Sequence, residues 1–253
     1  MGIYAITGGA TGIGDAVKNR LRTQGHEVLV IDIKSADIQA DLSSEEGRGW
    51  ANSELARIAV DGLDGFVACA GLGPHVMPYS LITRVNYFGA KASVEGARDL
   101  VAQKNGAIVV VSSTSAVFDY EDNFLTLLHE DKEQEACAAA DKLDGQTAYG
   151  AAKYALTHWM RQHSAAYAAG GVRMNAIAPG YTNTPLNAMA QASSEYAAAI
   201  AAYKASIPIG FAGEPEDQAS AVCYLLSPEA RFICGSVLFV DGGSDAQMRP
   251  GEF

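Results

Sequence analysis

An α/β fold built on a single doubly wound parallel sheet, with helices on both faces, is what this sequence predicts. Three observations lead there. Short apolar runs alternate with longer amphipathic stretches along all 253 residues, the pattern of strand–helix units. Most of those runs are rich in Val and Ile and lack in–out alternation, as strands buried on both faces do. A glycine-rich turn stands where the first run hands over to a helix. No linker or internal repeat interrupts the rhythm, so residues 1–253 read as one domain.

The strands are expected at Ile3–Thr7, Glu27–Asp32, Gly65–Cys69, Ala107–Ser112, Val172–Ile177 and Val237–Val240. Ser43 and Glu46 have the S-x-x-E spacing of a capping box and predict a helix running to about Val60. Pro215 follows Glu214 at the start of a helix over Glu216–Leu226, which stops before Pro228. One segment departs from the alternation. Residues 117–146 are acidic, with Asp119, Glu121, Asp122, Glu130, Asp131, Glu133, Glu135, Asp141 and Asp144, and read as a helical insertion.

Composition narrows the function. Apolar residues make up 49% of the chain and charged residues 19%, enough apolar mass for a sizeable core. The net charge of −11 argues against nucleic acid or an anionic membrane as partner, since both attract positive fields. Cys69, Cys137, Cys223 and Cys234 form no CxxC pair and are expected as buried free thiols in a reducing compartment. The five histidines show no HxxxH spacing, so no metal site is expected. Neither a signal peptide nor a membrane-spanning run is visible, and the expected setting is the soluble cytoplasm.

The glycine turn is Thr7-Gly8-Gly9-Ala10-Thr11-Gly12-Ile13-Gly14. Glycines let a backbone approach a pyrophosphate, and the helix behind them offers N–H donors and a positive dipole end. The second strand ends in Asp32, 18 residues after Gly14, with Ile33 beside it. A carboxylate there can accept hydrogen bonds from both adenosine ribose hydroxyls and would repel a 2′-phosphate. No Lys or Arg lies between Gly8 and Gly14, although Lys34 is near. The cofactor expected from these features is NAD, held in part by Gly8, Thr11, Gly12, Ile13, Gly14, Asp32 and Ile33 in a Rossmann-type fold.

The T-G-x-x-x-G-I-G spacing resembles the short-chain dehydrogenase/reductase family, and the resemblance runs from Ile3 to the C-terminus. It implies that Asp41 and Leu42 sit by the adenine ring. The family's N-A-G is here Cys69-Ala70-Gly71. Cysteine removes a hydrogen bond that usually ties neighbouring strands, while the backbone approach at Ala70 and Gly71 is expected to survive. Pro179-Gly180-Tyr181-Thr182 is similar to the nicotinamide-side turn, where Thr182 would hold the carboxamide.

Tyr149-Gly150-Ala151-Ala152-Lys153 puts a phenol and an ammonium at i and i+4, on one helix face. A phenol of pKa about 10 is too weakly acidic to serve as a base at neutral pH; a nearby ammonium and a cationic nicotinamide would lower it. The resemblance makes Tyr149 the proton acceptor in alcohol oxidation and the donor in ketone reduction. It makes Lys153 the residue that lowers that pKa and binds the nicotinamide ribose. Ser113 would hold the substrate oxygen, chosen over Ser112 because the family's serine comes two residues after the strand's last apolar residue, here Val111. Asn86 is similar to the asparagine that anchors a proton-relay water; read from its own chemistry it is a helix-distorting amide.

Ala40-Asp41-Leu42-Ser43, Cys69 to Pro74, Asn86 to Ala90, Asp241 to Ala246 and Met248-Arg249-Pro250 resemble one branch, the bacterial 3α-hydroxysteroid dehydrogenase/carbonyl reductases. So does the 36-residue step from Ser113 to Tyr149. Related enzymes act on steroids, cyclic ketones and monoterpenols such as isopiperitenol, which implies a small apolar alicyclic alcohol or ketone as substrate. Leu72, Pro74, Val76, Met77, Pro185, Leu186, Met189 and Tyr196 are the expected pocket residues, from the loop after Gly71 and from residues 181–203. The resemblance also implies a homo-oligomer, dimer or tetramer. Phe118, Phe124, Leu125, Leu127 and Leu128 of the insertion need burial. Hence it is read first as an element that alters subunit pairing, with a substrate lid and a solvated excursion as alternatives. Two rival functions stand beside the dehydrogenase. A catalytically dead cofactor-sensing module would be expected to lack Tyr149 or Lys153, and a nucleotide-sugar epimerase or dehydratase would need a larger C-terminal domain. A short-chain dehydrogenase for another small carbonyl compound is a third alternative.

Overall fold

The computed structural model describes residues 1–192 and 196–252. In chain order its elements begin with β1 (Ile3–Thr7), α1 (Gly12–Thr23), β2 (Glu27–Asp32), β3 (Ile38–Gln39), α2 (Glu45–Ile58) and β4 (Gly65–Ala68). Then come α3 (Tyr79–Thr83), a π-helical stretch over Arg84–Gly89, α4 (Ala90–Ala102), β5 (Ala107–Val111), α5 (Asp122–His129), α6 (Glu133–Ala140) and α7 (Gly145–Ala169). The last are β6 (Arg173–Pro179), α8 (Pro185–Ala192), α9 (Ala197–Ser206), α10 (Pro215–Leu226), β7 (Val237–Val240) and α11 (Ser244–Met248).

All seven strands join one parallel sheet in the order β3-β2-β1-β4-β5-β6-β7. Successive side chains point to opposite faces, and β5 shows where they go. Ile108 and Val110 join a core with α2, α4 and α7, while Ala107, Val109 and Val111 join one with α1 and α10. Every residue of β5 is buried, which is why its sequence is apolar at both parities.

Several boundaries shift. The cap of α2 is Ser44, whose side chain accepts from Gly47 N, not Ser43. Asp41 Oδ1 takes the Ser43 N–H at 2.9 Å, a local turn that delays the helix by one residue. That helix ends at Ile58, leaving Val60 exposed. α10 begins at Pro215, one residue earlier than expected, with Glu214 and Asp217 forming a reciprocal capping box. β4 and β5 stop one residue early, at Ala68 and Val111, and β6 runs on to Pro179. The two-residue β3 at the sheet edge is too short to leave a periodic signal. All four thiols are free; expected burial fails for Cys234, which is exposed, while Cys69 is buried at its thiol although the residue as a whole is only partly covered.

The insertion consists of the two short helices α5 and α6, and α7 already starts at Gly145. Phe124, Leu125 and Leu128 are buried within this same chain, in the core shared with α7. The apolar residues that suggested a subunit contact are therefore mostly covered without one; Phe118 alone of the five stays exposed among the described residues. Glu133 clamps the insertion to the body. It accepts from Arg48 of α2 through both oxygens, at 3.2 and 2.6 Å, and from Arg84 at 3.0 Å. Among the described residues no helix is long and apolar enough to cross a membrane, and no His/Cys/Asp/Glu group could hold a metal.

Candidate active site

The carboxyl ends of the central strands open into a cavity of about 630 Å³, within the size range of small-molecule sites. Its floor begins at the turn after β1. Gly8 has φ +73° and the Ala70 backbone lies 2.7 Å from where its Cβ would be, so only glycine fits. A Cβ on Gly14 would collide with Gly8 O. Gly8, Thr11, Gly12, Ile13 and Gly14 all line the cavity, with Asp32, Ile33, Asp41 and Leu42 beyond them. Asp32 braces this turn: Oδ2 accepts from Ala10 N at 3.0 Å and Oδ1 from Ile33 N at 2.7 Å. Lys34 is exposed and does not line the cavity; Lys153 is the one basic residue among the described residues that does.

Cys69, Ala70 and Gly71 form the next wall. The tie that asparagine would make is supplied from β1: Thr7 Oγ1 accepts from Cys69 N and Ala70 N, each at 3.1 Å. Burial pushes the Cys69 thiol up to about 12, far from a reactive thiolate.

Ser113, Tyr149 and Lys153 all line the cavity. α7 presents Tyr149 and Lys153 one turn apart, and Ser113 follows β5. Ser113 stands beside Tyr149, where its hydroxyl favours the phenolate, and its Oγ accepts from Ser115 N at 3.1 Å. Ser112 instead bonds Thr157 in the interior. Lys153 Nζ donates to Val111 O at 2.7 Å, and burial lowers its pKa to about 8. Without cofactor, burial raises the pKa of Tyr149 and the neighbouring Ser113 opposes this.

Asn86 is brought near but not onto the cavity wall. It is wholly buried inside the π-helical stretch, where its Oδ1 accepts from Leu72 N at 2.8 Å and Nδ2 donates to Leu72 O at 2.9 Å. Its amide therefore holds the loop that carries Leu72. At the far side Pro179, Gly180 and Thr182 line the cavity.

Of the expected pocket residues, Leu72, Pro74, Pro185, Leu186 and Tyr196 line the cavity, but Val76, Met77 and Met189 do not. Met77 and Met189 are 72% and 62% exposed, on the outer side of the loop and of α8. Residues 193–195 of the expected 181–203 stretch lie outside the described residues. Sequence reasoning overlooked Leu81, Val85, Thr114 and Gln146, and it covered Ile200 and Tyr203 only through the 181–203 stretch without singling them out. A signal existed for part of this set: Tyr196, Ala199, Ile200 and Tyr203 have the i, i+3, i+4, i+7 spacing of one helical face, and that face of α9 covers the cavity, not the core. Of residues 117–146 only Gln146, which belongs to α7, lines it. The insertion still touches the site from behind, because Tyr120 donates to Ser115 O at 2.6 Å and its phenol leaves no room for a Cβ at Gly150.

A family model described as Enoyl-(Acyl carrier protein) reductase matches residues 135–245. The 3-alpha-hydroxysteroid dehydrogenase/carbonyl reductase of Comamonas testosteroni is 39% identical over 261 residues, covering 100% of both chains. The chain belongs to the short-chain dehydrogenase/reductase family. It is thus an oxidoreductase of that family, similar to the hydroxysteroid dehydrogenases. Among solved short-chain dehydrogenases, the 3-alpha-hydroxysteroid dehydrogenase from Pseudomonas sp. B-0831, complexed with NADH, superposes with a TM-score of 0.93 at 37% identity. That match covers 99% of this chain and 100% of the other. A more distant relative, cis-4-hydroxycyclohexanecarboxylate dehydrogenase of Sinomonas cyclohexanicum, is 29% identical over 96% of each chain.

Proposed function

We propose that this enzyme is an NAD-dependent dehydrogenase/reductase that interconverts an apolar alicyclic secondary alcohol, a steroid or cyclic monoterpenol, and its ketone. The observation that carries the reading is the Ser113–Tyr149 pair, set between a glycine-floored cleft and an apolar wall. The cleft suits NAD: Gly8 and Gly14 let the turn close tightly and face the cavity with backbone, and Asp32 stands where a 2′-phosphate would be repelled. When bound, NAD supplies the hydride acceptor or donor and, oxidised, a positive ring charge.

Tyr149 accepts the hydroxyl proton in oxidation and returns it to the carbonyl oxygen in reduction. With burial raising its pKa, the phenol stays protonated at neutral pH until positive charge is brought beside it, so the unliganded site is set as a proton donor. The Ser113 hydroxyl positions the substrate oxygen against Tyr149, and Lys153 holds the cofactor ribose. Asn86 acts through Leu72, keeping the loop in place. Leu72, Leu81, Val85, Leu186 and Ile200 favour an apolar ring and offer nothing to pair a carboxylate.

A homo-oligomer belongs to the same reading, supported by β7, an edge strand that leaves Leu238 exposed; light scattering measures it. The substrate reading is tested by following the absorbance of reduced cofactor with steroids beside cyclic monoterpenols. Cyclic alcohols should lead in kcat/KM, with NAD preferred to NADP. A small charged hydroxy acid turned over far better than any ring alcohol would overturn the substrate class.

A further inference from the structure

One buried amide takes no part in the chemistry above. Gln218 of α10 is 1% exposed. Its Nε2 donates to Val240 O at 2.8 Å and to Thr182 Oγ1 at 3.2 Å. Its Oε1 finds no partner among the described residues. The amide orientation follows from chemistry: Val240 O is an acceptor, so the NH₂ end must face it, and the second proton of that NH₂ then points to Thr182.

A threonine hydroxyl has one proton and two lone pairs. The proton of Thr182 goes to Gly180 O at 3.1 Å. Gln218 occupies one lone pair. What remains toward the cavity can only accept. We propose that Gln218 is a positioning residue that commits the Thr182 hydroxyl to accepting an N–H from the carboxamide of the nicotinamide cofactor. This rests on the NAD reading above.

A purely structural role fits Gln218 poorly. Val240 O already accepts from Gly180 N at 3.1 Å, so the strand carbonyl is paired without the glutamine. The amide also strands a buried acceptor, which opposes stability. Gln218→Met keeps the shape, leaves no polar group unpaired and removes the stranded Oε1.

The test is calorimetric Kd for NADH and for reduced 3-acetylpyridine adenine dinucleotide, whose methyl ketone lacks the amide N–H. Both are measured on wild type, Gln218→Met, Thr182→Val and the double variant. Wild type should favour NADH, and Thr182→Val should bring the two Kd values nearly together. Gln218→Met should lower the preference by roughly threefold or more, the worth of a neutral hydrogen bond, at an equal or higher Tm. In the Thr182→Val background it should lower it no further. The proposal is overturned by a Gln218→Met preference equal to wild type, or by an equal drop in the Thr182→Val background. Loss of the fold in both Gln218→Met and Gln218→Leu would overturn it too, by making the amide structural. Failure of wild type to bind NADH at all would instead overturn the cofactor reading.

Discussion

At the glycine-turn end of the cavity, Gly8, Asp32 and Ala70 sit at or just past the carboxyl ends of β1, β2 and β4, parallel strands held in register by their neighbours. At the other end, Leu186, Ile200 and Tyr203 sit on α8 and α9, short helices outside the sheet. α9 has no buried residue at all, while β4 has no exposed one. The first end is built from backbone: φ-positive glycines, Thr7 tying Cys69 and Ala70, Asp32 bracing Ala10. The second is built from side chains on elements that bury little. Substitutions at the first end should therefore act sharply on cofactor and chemistry, and those at the second should act gently and through substrate KM.

The largest expected effect lies where the two ends meet. Tyr149→Phe should reduce turnover by about 10²–10⁴-fold while NADH affinity, read by fluorescence, stays within a few-fold. Turnover near wild type would remove Tyr149 from the chemistry. Next comes the clamp behind the site. Glu133→Ala leaves the buried Arg48 guanidinium without its bidentate partner. It should cost about 1–3 kcal/mol in urea unfolding with kcat nearly unchanged, since residues 117–145 do not line the cavity.

Asp32→Ala should narrow the preference for NAD over NADP by about tenfold, or about 1.4 kcal/mol, judged by the ratio of kcat/KM values. An unaltered ratio would mean that the glycine-turn end does not read the ribose through Asp32. Lys153 gives a pH signature. Its folded pKa is depressed from 10.5 to about 8, so between those values the unfolded chain binds the extra proton and stability rises with pH. Below about pH 8 the cost of burying the charge is fully present. Relative to Lys153→Met, the unliganded wild type should gain stability as pH rises from 8 to 10.5; parallel profiles would contradict the burial. The smallest effect belongs to the outer face of the α8–α9 end. Met189→Ala should change KM by less than about twofold, because surface substitutions away from special features are nearly neutral. Leu186→Ala, on the cavity wall, should raise KM for ring alcohols several-fold.

Legibility in the sequence divides along the same line. The strands that carry the glycine turn and Asp32 could be read because their signals are local: an apolar run buried on both faces, glycines at a turn, a carboxylate at a strand end. The i, i+4 spacing of Tyr149 and Lys153 was equally readable, since helix geometry puts those positions on one face. The residues of α8 and α9 were harder. Met77 and Met189 are as apolar as Leu186, and composition alone cannot say which side of a short helix meets a cavity. Tyr203 and Ile200 had a periodic signal, but periodicity names a face without naming what it covers.

What the chain's order determined, then, is the sheet, its parallel sense, the glycine turn and the helix bearing Tyr149 and Lys153, all consequences of backbone geometry acting over a few residues. Tertiary structure decided the rest. It turned Asn86 away from the cavity to hold Leu72, buried Phe124 and Leu128 inside their own chain, and left Cys234 in solvent. It paired Arg48 with Glu133 across 85 residues and Gln218 with Thr182 across 36. Partners that far apart are selected by which surfaces pack and which buried polar atoms must be satisfied, and no local pattern encodes that choice.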